Sequence, residues 1–303
     1  MTQATVEFAS ETVRSETLAL DAIERFYEAL NRTFAGDLGP MEGLWAQTPD
    51  VVLKGPFGGR QVGWPELRRV VERDSKLKRG GQILPRDLVV RVGKDLAYGV
   101  CIERGEITTN KGERVPLDLR ATNILKREGD DWRFIYHHTD PLPAMQEASG
   151  LKLDAIETPE GPPPDPTVLK VLDRFYGAIR SMFGGDLEPL ADIWSHTDDV
   201  SFASPVGNIQ VGWEAVRAEF ERHAKVGIKG NLEYKEPFVR VCGDLAYASC
   251  LATAPDMTIN GKPYDFNLRA TTIFRREDGQ WRVVHHHSDC GPGLPELCGE
   301  TPK

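Results

Sequence analysis

The feature that most constrains this chain is an internal repeat. The stretch Trp132-Arg133-Phe134-Ile135-Tyr136-His137-His138-Thr139-Asp140 returns 149 residues later as Trp281-Arg282-Val283-Val284-His285-His286-His287-Ser288-Asp289, and the same offset aligns everything from Phe26/Phe175 to Asp140/Asp289 without a gap. About two aligned positions in five are identical, too many for chance and too few for a recent duplication. The repeat is of domain length, so the 303 residues resolve into two domains of one fold, each able to bury its own core. The expected boundaries are 17–142 and 167–292, joined over 143–166 by a proline-rich, acidic linker that is extended in its last part.

Within each copy, helical periodicity comes first and strand patterning afterwards. Residues up to about Glu16 look like a polar tail, after which Leu18, Leu20, Ile23, Phe26, Tyr27 and Leu30 recur at helical spacing, matched by Val168, Val171, Leu172, Phe175, Tyr176 and Ile179 behind Pro166. Gly36-Asp37-Leu38 and Gly185-Asp186-Leu187 pair a left-handed cap with an aspartate that caps the next, short helix. Short β-rich runs (Asp50–Leu53 and Asp199–Phe202) are stopped by Gly55-Pro56 and Ser204-Pro205, and Gln-Val-Gly-Trp then opens a third helix. The rest is strand: 88–92, 96–103, 117–126 and 132–140, and in the second copy 238–241, 245–253, 266–275 and 281–289. Helices followed by a strand meander predict an α+β fold, because a parallel sheet would alternate the two.

Charge and composition exclude several classes. A net charge of −9, with basic residues scattered among acidic ones, offers no footprint for nucleic acid or an anionic membrane. No stretch has the length of a membrane span, and the first residues lack the pattern of a signal or transit peptide. Five cysteines, with Cys101 and Cys250 at equivalent positions, point to small buried thiols rather than a disulfide framework. The expected setting is soluble, reducing and cytoplasmic.

Three helices, a curved antiparallel sheet, Gly-Asp-Leu, Gly-Pro-Phe-Gly-Gly followed by Val-Gly-Trp, and Arg-Ala-Thr followed by Trp-Arg and His-His-Thr-Asp together resemble the SnoaL-like branch of the nuclear transport factor 2-like superfamily. The resemblance covers nearly all of both copies. It implies two tandem α+β cones, each a sheet wrapped around a pocket that its helices close, and an intramolecular pseudo-dimer with further oligomerisation open. Relatives include isomerases, dehydratases, epoxide hydrolases and cyclases, but also non-enzymatic transport and kinase-association domains, so the fold leaves the function undecided.

Five of the seven histidines lie in the repeated last strand. Alternation puts Trp132, Phe134, Tyr136 and His138 on one face, and Trp281, Val283, His285 and His287 on the matching face of the second copy. If that face lines the pocket, His138 and His287 are the proton carriers, with Asp140 and Asp289 orienting them and Tyr27 and Tyr176 donating to a carbonyl. His137 and His286 then face the other repeat, and a bulge in the strand would reverse the assignment. The competing reading has these histidines anchoring neighbouring backbone by hydrogen bonds. A metal site is a third reading, with His285, His287 and Asp289 as ligands, although Tyr136 stands where a matching first-copy site needs a histidine.

Trp64, Trp213, Phe57, Arg120 and Arg269 are the candidate substrate contacts. Each arginine could hold a carboxylate or enolate, or sit in a sheet-face ion pair, with Asp118 or Glu103 as the partner in the first copy. By the resemblance, the carboxylate base of ketosteroid isomerase falls at Gly55 and Ser204, and its oxyanion-hole acid at Asn123 and Thr272. Neither carboxylate is present, so that mechanism is not expected as such. The chain is expected to act on an apolar, oxygenated small molecule by acid/base isomerisation, dehydration or cyclisation. It would need no cofactor, the alternative being a transition metal in the second copy. A non-catalytic ligand-binding or assembly module is the competing function.

Overall fold

The computed structural model describes residues 3–76, 80–108, 112–143, 145–146 and 163–299, and forms two compact units, one up to residue 146 and one from residue 163. Most of the expected linker, 147–162, lies outside the described residues.

The first unit runs α1 (Gln3–Phe34), α2 (Gly39–Glu42), β1 (Val52–Lys54), β2 (Gln61–Val62), α3 (Trp64–Lys76), β3 (Gly81–Val92), β4 (Leu96–Thr108), β5 (Arg114–Glu128) and β6 (Asp131–Thr139). Where a polar tail is expected, α1 is already helical from Gln3. No glycine or proline interrupts residues 3–34, and Ser15 is buried with its hydroxyl taking a hydrogen bond from Arg127. The buried stripe of α1 is Ala19, Ala22, Ile23, Phe26, Tyr27 and Ala29; Ile23, Phe26 and Tyr27 lie on it as expected, whereas Leu20, 37% exposed, faces outward and the alanines take the inner positions. Its end is closed by Gly36 at φ 100°, and Asp37 Oδ1 then accepts the N–H of Gly39 to open α2.

The six strands lie in the order β2-β1-β6-β5-β4-β3. β3 to β6 form the antiparallel meander, but β1 pairs parallel to β6, Val52 opposite Tyr136 and Lys54 opposite His138. The sheet is therefore mixed rather than purely antiparallel. The parallel run begins before β1, where Phe134 exchanges backbone hydrogen bonds with Leu44 and Ala46. This lays the chain after α2 along β6 and brings the pocket-lining Trp45 and Leu53 to the same wall.

The second unit repeats the plan with α4 (Pro166–Phe183), α5 (Glu188–Ile193), β7 (Ser201–Ala203), β8 (Ile209–Val211), α6 (Trp213–His223), β9 (Ile228–Lys229), β10 (Glu233–Cys242), β11 (Leu245–Ala254), β12 (Thr258–Ile259), β13 (Lys262–Pro263), β14 (Phe266–Glu277), β15 (Gln280–Ser288) and α7 (Leu294–Leu297). Asp165 caps α4, its side chain accepting the N–H groups of Thr167 and Val168 at 2.8 and 3.2 Å, and Pro166 occupies the first turn as expected. Where β4 and β5 run on as one long hairpin in the first unit, the second unit inserts a small three-stranded sheet, β13-β12-β9.

One irregularity decides which side chains reach the interior. Ile124 pairs with Tyr136 and Leu125 with Phe134, which leaves Ile135 unmatched in β6; Ile273 pairs with His285 and Phe274 with Val283, which leaves Val284 unmatched in β15. Each last strand thus carries a β-bulge at the same repeat position, and every side chain beyond it changes face.

Candidate active site

In the first unit the bulge puts Phe134 and His137 on one face, both against Phe26, at ring-centroid distances of 4.5 and 5.0 Å. This face and the helices enclose a pocket walled by Phe26, Phe34, Trp45, Phe57, Leu67 and Leu119, among others, with about 730 Å³ of atom-free space including its mouth. The polar side chains on its wall are Glu103, His137, Thr139 and Thr33.

Glu103 is the centre of the polar network. It sits on β4, buried at 3% exposure, two residues from Cys101 and opposite Leu119. Tyr27 from α1 donates to Oε1 and Thr139 from β6 donates to Oε2, both at 3.0 Å. Burial pushes the carboxyl up to about 7, with the two hydroxyl donors pulling back and the charge of Asp140 adding to the rise. His137 Nε2 lies 3.5 Å from Oε1. Its Nδ1 is 2.7 Å from Asn123 Oδ1, and Asn123 Nδ2 in turn points to Tyr27 Oη at 3.4 Å. An amide oxygen can only accept, so Nδ1 carries a proton and Nε2 of the neutral ring is left as the acceptor facing Glu103. The tyrosine hydroxyl stays protonated, because burial, then Cys101 and Glu103, raises it well above its ordinary value. One proton is therefore exchangeable between Glu103 and His137 on the wall of an apolar cavity.

The second unit builds its cavity from equivalent elements, with Phe175, Tyr176, Phe202, Phe220, Phe266 and His286 on its wall. His286 takes the place of His137, packing on Phe175 at 4.9 Å, and Ser288 takes the place of Thr139. Ala252 stands where Glu103 would be and Thr272 where Asn123 would be, so Tyr176 Oη contacts Cys250 Sγ at 3.2 Å with no carboxylate beside it.

The residues singled out from sequence divide as follows. Tyr27 joins the Glu103 network, Tyr176 and Phe57 line their cavities, and all three come from the expected elements. His138 and His287 are fully buried but lie on the opposite sheet face from the pocket-lining His137, Thr139, His286 and Ser288, the reversal a bulge produces. Asp140 is clamped by Arg120, through its backbone N–H at 3.0 Å, Nε at 2.7 Å and Nη2 at 2.8 Å. Asp289 and Arg269 repeat the clamp at 3.1, 2.8 and 3.0 Å. These arginines alternate against the pocket-lining Leu119 and the buried Leu268, which pairs with Ala252, and hold the strand ends together, and Asp118 pairs with Arg104 instead. Trp64 and Trp213 are not on the cavity walls; Trp213 stacks on His196 at 4.1 Å, and Trp45 supplies the indole of the first pocket.

The metal reading fails on geometry. His285 Nδ1 is bonded to Ser201 Oγ at 2.8 Å and Asp289 is committed to Arg269, and no group of three or more histidine, cysteine, aspartate or glutamate side chains among the described residues is placed to hold an ion. Glu103 and His137 are the candidate pair that strand alternation missed. The signal for Glu103 was in the repeat: a position occupied by alanine in one copy is an interior position, and a carboxyl there has to be explained.

No helix among the described residues is long and apolar enough to cross a membrane. No curated protein matches the chain. Among solved structures, a candidate dehydratase of the NTF2-like family from Streptomyces avermitilis is 25% identical, with a TM-score of 0.38, over 42% of this chain and 95% of that one. A candidate calcium/calmodulin-dependent protein kinase type II association domain from Thiobacillus denitrificans is 23% identical, with a TM-score of 0.34, over 43% and 98%. A candidate ketosteroid isomerase from Shewanella frigidimarina is 18% identical, with a TM-score of 0.34, over 41% and 96%. The family model of the SnoaL-like domain matches twice, over residues 19–143 and 168–289, most of the chain, and so this protein belongs to the SnoaL-like domain family with two tandem copies.

Proposed function

We propose that the first unit is an acid/base enzyme that moves a proton on an apolar, oxygenated small molecule, in an isomerisation, dehydration or cyclisation. The observation that carries this reading is the buried Glu103 carboxyl, poised at about 7 and within 3.5 Å of His137 Nε2 on the wall of the cavity. A group that titrates near working pH is the efficient proton carrier, because both of its forms are populated. Glu103 takes the proton from carbon or delivers it to a leaving oxygen, His137 holds the exchanged proton, and Asn123 fixes the ring tautomer. Tyr27 keeps Glu103 oriented. The apolar walls exclude water and so sustain the raised carboxyl. Five free cysteines agree with a reducing, cytoplasmic setting.

The test is deuterium uptake in heavy water by a panel of apolar ketones, together with water loss from the matching β-hydroxyketones, both read by mass spectrometry. Turnover is expected to fall about 100-fold or more in Glu103→Gln and to follow a pH profile that inflects near 7. Equal rates for the unaltered protein and Glu103→Gln on every substrate that turns over would remove Glu103 from the chemistry.

A further inference from the structure

One indole is housed differently in the two copies. Trp45 and Trp194 hold equivalent positions, both are buried, and the Nε1–H of each has no hydrogen-bond partner among the described residues. In the second unit Phe202 and Phe220 pack on the ring, T-shaped to it at centroid distances of 5.9 and 5.5 Å, and Trp194 is not on the cavity wall. Leu53 and Val71 stand at those two places in the first unit, and there Trp45 lines the cavity beside both of them. The smaller side chains thus bring an indole with an unmet N–H to the wall. Its backbone is fixed, because Phe134 accepts the N–H of Ala46 and donates its own to Leu44, each at 2.9 Å, which pins Trp45 against β6. The same pinning sets Trp45 apart from the reacting pair. It lies level with Phe134, whereas Thr139, whose hydroxyl holds Glu103, is further along β6. At about 3.3 Å per residue, less the bulge, the two levels are roughly 10–15 Å apart.

We propose that Trp45 is a specificity-determining residue of the first cavity, and that its Nε1–H donates to a second oxygen of the substrate, remote from the one that reacts. A buried N–H without an acceptor is costly, and a substrate oxygen that meets it removes the cost. A donor placed this way selects a molecule long enough to reach from Glu103 to the indole, and rejects one that brings carbon where the oxygen belongs. The second oxygen is uncharged, an ether, hydroxyl or carbonyl: no lysine or arginine is on the cavity wall, so a carboxylate would lose its hydration with no charge to replace it. The second unit, whose Trp194 is shut off by Phe202 and Phe220, makes no such selection. The inference rests on the proposed activity for what happens at Glu103, but the donor itself is read without turnover.

The probes are 6-methoxy-2-tetralone and 6-ethyl-2-tetralone, which share a shape and a ketone and differ by one oxygen against one methylene. In proton–nitrogen correlation spectra of the full-length protein, the indole signal of Trp45 is identified by its loss in Trp45→Phe. The methoxy compound is expected to move that signal downfield, as a new hydrogen bond does, and to leave the Trp194 signal in place; the ethyl compound should cause no downfield move. Calorimetry should show the methoxy compound binding about tenfold more tightly than the ethyl compound, the worth of one buried hydrogen bond, and the two binding equally in Trp45→Phe. Val71→Phe, which restores the ring found in the second unit, should also remove the methoxy advantage, and it decides the matter if Trp45→Phe does not fold. A methoxy compound with no advantage over the ethyl one, or an advantage that survives both substitutions, would overturn the proposal. Deuterium uptake that is indifferent to Glu103→Gln would remove the proposed activity and leave these binding results standing, so the two failures are told apart.

Discussion

Glu103 makes a sharp claim about how stability depends on pH. Its carboxyl ordinarily titrates at 4.5 and does so at about 7 in the folded chain, so between those values the folded state binds more protons than the unfolded one. Stability then falls as pH rises through this window and stays lower above it, by about 3 kcal/mol at most. Glu103→Gln keeps the shape and removes the titration. In urea denaturation, the stability of the unaltered protein relative to Glu103→Gln is expected to drop from pH 4.5 to pH 7 and to level off beyond. Two parallel curves would show that the carboxyl is not held protonated in the fold. Tyr27 was legible in the sequence because helical spacing alone places it beside Phe26 on the buried stripe. Glu103 was passed over as a partner for Arg120, since charged residues in strands usually belong to solvated faces. Only its register opposite Leu119, on the face shared with Cys101, shows that it points inward.

Most elements could be read from the sequence, and the one that could not is the bulge that aims the site. The strand meander, the helix caps and the turn glycines follow from local chemistry, whereas the parallel pairing of β1 with β6 does not. Ile135 and Val284, by contrast, are β-branched residues that suit a regular ladder as well as a bulge, and nothing local distinguishes the two. What selects the bulge is the sheet as a whole, with Phe134 held against Phe26 and, three residues later, His137 required on the same face. Beyond each bulge the strand end is tied down by the buried clamp of Arg120 to Asp140 or Arg269 to Asp289. In Asp289→Ala the Arg269 guanidinium, at 0% side-chain exposure, loses its carboxylate. The second unit should lose about 3–5 kcal/mol in thermal or chemical unfolding. A loss under about 1 kcal/mol would mean the arginine finds another partner. The β3–β4 edge makes a separate demand, because a Cβ on Gly105 would sit 1.8 Å from the carbonyl oxygen of Gln82. Gly105→Ala should therefore open that pairing and cost about 1–3 kcal/mol, with hydrogen exchange accelerated at Ile83 and its neighbours.

At the scale of the whole chain, the repeat makes each unit a control for the other. The two cavities share a phenylalanine stripe, a bulge, an inward histidine and a hydroxyl at the strand end, and the two units differ where chemistry is at stake: Glu103 against Ala252 and Asn123 against Thr272. If Glu103 is the proton carrier because of where the fold puts it, the same position in the second unit should make another. Tyr176 and Ser288 stand where Tyr27 and Thr139 hold Glu103, and His286 stands where His137 faces it. In Ala252→Glu, the new carboxyl enters a buried wall and should titrate well above its ordinary range. The variant should then lose stability with rising pH, as the unaltered protein does through Glu103. The chemical consequence is read in a Glu103→Gln background, where deuterium uptake by whichever apolar ketone the unaltered protein exchanges is expected to be suppressed. Adding Ala252→Glu is expected to restore exchange at the second site, and His286→Phe to abolish it again. If the new carboxyl titrates high and exchange still does not return, burial alone does not make the carrier, and the Asn123-fixed tautomer of His137, which Thr272 does not impose on His286, becomes the part of the first site that a carboxyl cannot replace.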